Sequence, residues 1–74
     1  MTLDKCTRGQ KLKITSIPDD VVRAQAIRFG IAEGTIITCE EVVPAGPVVL
    51  GMFKQQIAIG RQLAKSIAVQ PINL

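Results

Sequence analysis

The chain has 74 residues, 47% of them apolar and 20% charged, with a formal net charge of +3 and a mean hydropathy of +0.32. That balance excludes intrinsic disorder, which needs low hydrophobicity and high net charge, and the length allows one small domain, residues 1–74. Histidine, tryptophan and tyrosine are absent. The commonest general base and transition-metal ligand are therefore missing, along with most of the aromatic surface on which single-stranded nucleic acid stacks.

Residues 1–10 carry Asp4, Lys5 and Arg8 and no apolar run, so no secretory leader is expected there. Nowhere does the chain approach the ~18 consecutive apolar residues of a spanning helix. Cys6 and Cys39 allow one disulfide at most, and without a leader a cytoplasmic location with reduced thiols is expected. The positive charges are scattered, with Arg8, Lys11 and Lys13 forming the one local cluster.

Residues 11–17 alternate Leu12 and Ile14 with Lys and Thr, the period of a strand with one buried face. Pro18 closes it, and Asp19 or Asp20 is placed to cap a helix over residues 21–29. Val22, Ala26 and Phe29 would line the inner face of that helix, with Arg23 and Arg28 outward and Gly30 as the left-handed residue that ends it.

Gly34 opens a second strand over residues 35–43, in which two phases compete. Either Ile37, Cys39 and Val43 point inward, or Ile36 and Val42 do; a bulge near Glu40 and Glu41 would resolve the conflict. Pro44-Ala45-Gly46-Pro47 is a strong turn signal between antiparallel neighbours. A third strand spans residues 48–53, then a polar turn at Lys54-Gln55-Gln56, a fourth strand over 56–59, a helical turn within 61–66 and a fifth strand over 67–70. Five short strands, tight turns and one helix predict a mainly β protein: a partly closed antiparallel barrel with the helix after the first strand and a helical turn before the last.

The segments Arg28-Phe29-Gly30-Ile31-Ala32-Glu33-Gly34-Thr35, Pro44-Ala45-Gly46-Pro47-Val48, Ile57-Ala58-Ile59 and Ala64-Lys65-Ser66-Ile67-Ala68-Val69, in that order and spacing, resemble the ferrous iron transport protein A (FeoA) family. The resemblance covers roughly residues 9–70. It implies an SH3-like barrel that works in the cytoplasm beside the membrane-embedded ferrous iron transporter B and its GTP-binding domain, reaching the membrane only through that partner. Two departures stand out. Glu33 occupies a position where the family often has proline, and Gly60 followed by Arg61 stands where the family often has arginine directly after the Ile-Ala-apolar strand.

No metal site, cofactor site or catalytic residue is expected. The two thiols are 33 positions apart, without the short ligand spacing or the histidine that a zinc site uses, and Cys39 fits the core. Ser16 and Ser66 have no histidine to activate them, and no P-loop motif is present. Specific nucleic-acid binding is not expected from two phenylalanines and a scattered positive charge. The sharper expectation is a protein-docking patch: if Val48, Leu50 and Met52 point inward, Val49 and Phe53 point outward, beside Ile36 and Lys54. On that reading Phe53→Glu weakens partner binding and leaves the fold intact. The expected function is a non-catalytic accessory module of ferrous iron uptake. The alternatives are a regulatory barrel, related to those of metal-dependent repressors, that binds nucleic acid or a regulator, and a module that self-associates through an exposed strand edge.

Overall fold

The computed structural model describes residues 1–52 and 54–73. Its strands are β1 (Lys11–Ser16), β2 (Ile36–Val42), β3 (Val48–Met52), β4 (Gln55–Ile59) and β5 (Ala68–Pro71), joined in one antiparallel sheet of order β4-β3-β2-β1-β5. Helix α1 (Asp20–Arg28) links β1 to β2, the single turn α2 (Arg61–Ala64) links β4 to β5, and a 3-10 turn over Leu3–Lys5 precedes β1. One face of every strand feeds a common core, with Leu12, Ile14, Ile37, Cys39, Val48, Leu50, Met52, Ile59 and Val69 all buried. Dimensions of 28 × 27 × 24 Å follow from a sheet curled around that core; a flat sheet would be one layer thin.

Helix α1 begins where the sequence requires. Asp19 is the N-cap, its Oδ1 accepting from the Val21 and Val22 amides at 2.9 and 3.2 Å. The inner face is shorter than predicted. Ala26 is buried and Val22 half-buried, but Phe29 is 42% exposed. The helix stops at Arg28, and Phe29 is its C-cap. Gly30, at φ +80°, reverses the chain so that its amide bonds the Ile27 carbonyl at 3.0 Å and the Ile31 amide bonds Ala26 at 3.0 Å. Ile31 thereby takes the core place assigned to Phe29.

In β2 both phases are realised in succession. Ile37 and Cys39 are buried, and the pairing with β3 then shifts between Cys39 and Glu41. This bulge at Glu40 turns the half-buried Val42 onto the core and leaves Val43, expected inward, 38% exposed. The following hairpin closes through Val43 N–H to Pro47 O at 3.1 Å and Gly46 N–H to Val43 O at 2.8 Å. A Cβ on Gly46 would meet Val43 Cγ1 at 2.9 Å, so a larger residue there requires the Val43 side chain to move. Strand β4 starts at Gln55, one residue earlier than predicted, because Gln55 already pairs with Met52. Strand β5 starts one residue later than predicted, at Ala68.

The N-terminal segment is part of the fold. Leu3 is fully buried, its amide donates to Ile67 O at 2.9 Å, and Val69 N–H donates to Met1 O at 2.8 Å. With the Thr2–Ala68 bridge, these bonds cover the outer edge of β5.

Candidate docking surface

The sheet register builds a groove on the outer face. Lys11 pairs with Thr38, Thr38 with Gly51, and Gly51 with Gln56, a transverse row across β1, β2, β3 and β4. Side chains in register share a face of a sheet, and the absence of one at Gly51 leaves room at the centre of the row that the Glu40 side chain enters. The cavity above it holds about 420 Å³ and is walled by Ile36, Glu40 and Lys54. The half-buried Glu40 side chain folds over Gly51, so a Cβ there would collide with its carboxylate. Ile36 stands 47% exposed, with Lys11 and Lys54 as neighbouring cations.

Two of the four residues expected on a docking patch, Ile36 and Lys54, line this groove. Val49 does not. It is half-buried further along β3, paired with Glu41 on one side and Ala58 on the other. Phe53 lies outside the described residues. Sequence reasoning placed Gly51 between the outward residues of the third strand but missed Lys11, Thr38, Glu40 and Gln56. A glycine inside an apolar strand was the available signal, because such a residue marks a close approach or an open spot on the sheet.

Away from the groove floor the fold is held by polar clamps. The half-buried guanidinium of Arg61 donates from Nε to Gly46 O at 3.0 Å, from Nη2 to Val43 O at 2.9 Å and from Nη1 to Asp4 O at 3.4 Å. One side chain thus joins the β2–β3 hairpin to the N-terminal segment. Glu33 also serves the fold, since its Oε2 accepts from the Ile17 amide at 3.3 Å and ties the end of β1 to the turn before β2. Glu33 and Arg61, the residues at the two departures from the family pattern, thus both bond within the fold.

Cys6 and Cys39 are free thiols whose Sγ atoms lie 2.9 Å apart in the interior. Burial, reinforced by the neighbouring Cys39 thiol, pushes the Cys6 thiol up to about 12. Among the described residues no three His, Cys, Asp or Glu side chains gather where they could hold a metal ion. No helix among the described residues is long and apolar enough to cross a membrane.

Fold and groove together define a small SH3-like barrel with a polar-walled outer face. The FeoA domain family matches residues 1–71. The chain belongs to that family, and its role is accordingly in ferrous iron uptake. The crystal structure of an iron uptake regulatory protein (FeoA) is similar at 25% identity with a TM-score of 0.89, covering 97% of each chain. The solution structure of a FeoA-like protein from Clostridium acetobutylicum is 25% identical, with a TM-score of 0.86 over all of this chain and 88% of that one. A metal-dependent transcriptional regulator, MtsR, contains the same fold at 15% identity and a TM-score of 0.86, but this chain matches only 34% of it. None of the curated proteins matches.

Proposed function

We propose that this protein is a non-catalytic accessory module of ferrous iron uptake that docks through its outer groove on the cytosolic GTP-binding part of ferrous iron transporter B. The observation that carries the reading is the groove over the row Lys11, Thr38, Gly51 and Gln56, with Ile36 exposed beside it. An exposed isoleucine gains by burial against an apolar partner side chain, while Lys11, Lys54 and Glu40 fix the register by charge. The composition supports a binding role, since a chain without histidine lacks the usual proton shuttle. The module works in the cytoplasm and meets the membrane through its partner. Docking shifts the transporter between states only through unequal affinity for them.

Calorimetric titration of the transporter's purified GTP-binding domain tests this. Ile36→Glu and Lys54→Glu are each expected to weaken binding at least ~10-fold while melting like the parent chain. Unchanged affinity in both variants would overturn the assignment of the surface. The fold shared with part of MtsR supports a second reading, a regulatory barrel on nucleic acid. A salt-sensitive shift of labelled DNA at physiological ionic strength, without transporter binding, would favour it.

A further inference from the structure

Neither the family assignment nor the docking surface uses the two thiols. Cys6 immediately follows the 3-10 turn, and Cys39 lies in the middle of β2. Their sulfurs are separated by 2.9 Å, well inside the ~3.5–4.0 Å of ordinary contact between heavy atoms. The backbone fixes both ends of this approach. The Cys6 amide bonds Leu3 O at 3.2 Å, Gly9 N–H bonds Cys39 O at 2.7 Å, and the Cys39 amide bonds Gln10 O at 2.8 Å. Exposure is 5% at Cys6 and nil at Cys39, so neither thiol is offered to a second protein molecule. The chain has no third cysteine, and no further ligand completes a metal site among the described residues.

We propose that Cys6 and Cys39 form an oxidation site, at which the two-electron oxidant hydrogen peroxide produces a reversible intrachain disulfide. Cys6 is the more exposed of the two residues. Its thiolate attacks one peroxide oxygen and breaks the O–O bond, giving a sulfenic acid and a hydroxide that takes up the thiol proton as water. The Cys39 sulfur then attacks the sulfenic sulfur. An S–S bond forms, the S–O bond breaks, and the Cys39 proton leaves with the hydroxyl as a second water. Two electrons pass from the sulfurs to the peroxide oxygens, and the products are one disulfide and two waters. The raised Cys6 thiol keeps the thiolate scarce at neutral pH and makes the first step slow. The cross-link ties the segment that covers the β5 edge to the centre of β2.

The test uses the purified, reduced full chain, freed of reductant and exposed to hydrogen peroxide. It is then unfolded in an alkylating reagent and its intact mass measured. The expected product is a monomer lighter by two hydrogens that takes up no label and is restored by dithiothreitol. Its Tm should exceed that of the reduced chain by ~10 °C or more, because the cross-link restricts the unfolded state. Cys6→Ala and Cys39→Ala, treated alike, should lose no hydrogens and show no rise in Tm. The proposal is overturned if both thiols still label after an exposure many times longer than the one that fully oxidises free cysteine. It is equally overturned if the parent chain gains oxygen atoms, forms covalent dimers, or loses stability on oxidation.

Discussion

The outer face of β1 to β4 and the side closed by the N-terminal segment are built on opposite principles. The groove floor is a row of residues that pair through the backbone, with Gly51 overlain by Glu40 and Ile36 in solvent. The other side has little unspent bonding capacity: Leu3 is fully buried, Arg61 donates to three carbonyls and the two thiols touch. The difference separates the residues that hold the barrel together from those that can meet a partner. Substitutions on the two sides should therefore report on different quantities.

The largest expected effect is on the closed side. Leu3→Ala should lower unfolding free energy by about 2–5 kcal/mol in urea denaturation, as for other buried leucines; a loss below about 1 kcal/mol would show that the N-terminal segment is an accessory and break the contrast. Arg61→Met should cost about 2 kcal/mol by releasing charge-assisted bonds to carbonyls. Amide exchange at Gly46 should accelerate with it, and Arg61→Lys should restore less than half of the loss, because a point charge cannot reproduce the planar fork.

Alkali gives a further handle. The folded Cys6 thiol, among Cys39 and Asp4, sits at about 12 against an ordinary value of 9.0. Between those values the unfolded chain releases a proton that the folded chain keeps. The contribution is thus complete below pH 9.0 and is lost as pH rises towards about 12. Cys6→Ala should flatten that limb of the stability curve relative to the parent chain. Asp19→Ala should cost about 1 kcal/mol through the lost N-cap, read from the same denaturation curves. Smallest of all, Ile36→Glu should change stability by no more than about 0.5 kcal/mol. A larger loss would mean that the groove belongs to the core.

Much of this architecture was legible in the chain because short-range rules govern it. Leu12 and Ile14 alternate as a half-buried strand must, Asp19 caps, Gly30 reverses the helix end, and the conflict in β2 could be located at Glu40 and Glu41 from alternation alone. Phe29 was misplaced because helical spacing was extended one residue beyond Arg28, onto the cap, after which Gly30 hands the inward position to Ile31. Val43 went wrong for a related reason: the bulge changes the phase, so alternation counted from Ile37 and Cys39 fails beyond Glu40. Register lies deeper. Nothing local says that Lys11, Thr38, Gly51 and Gln56 form one row, or that sulfurs 33 positions apart are neighbours, since both depend on how distant strands align. The N-terminal segment was read only for what it lacked, because its partners at Ile67 and Val69 lie at the other end of the chain.

The two borders of the sheet are unequal. Thr2 and its neighbours occupy the flank of β5, whereas β4 is the terminal strand on the other side, with Gln55, Gln56 and Ala58 exposed. Lateral growth by main-chain pairing requires two available borders per molecule; with a single one, two copies can meet about a twofold axis and the addition stops there. The short segment ahead of β1 thus shields part of the β5 border and leaves β4 as the longer exposed one for strand-to-strand pairing.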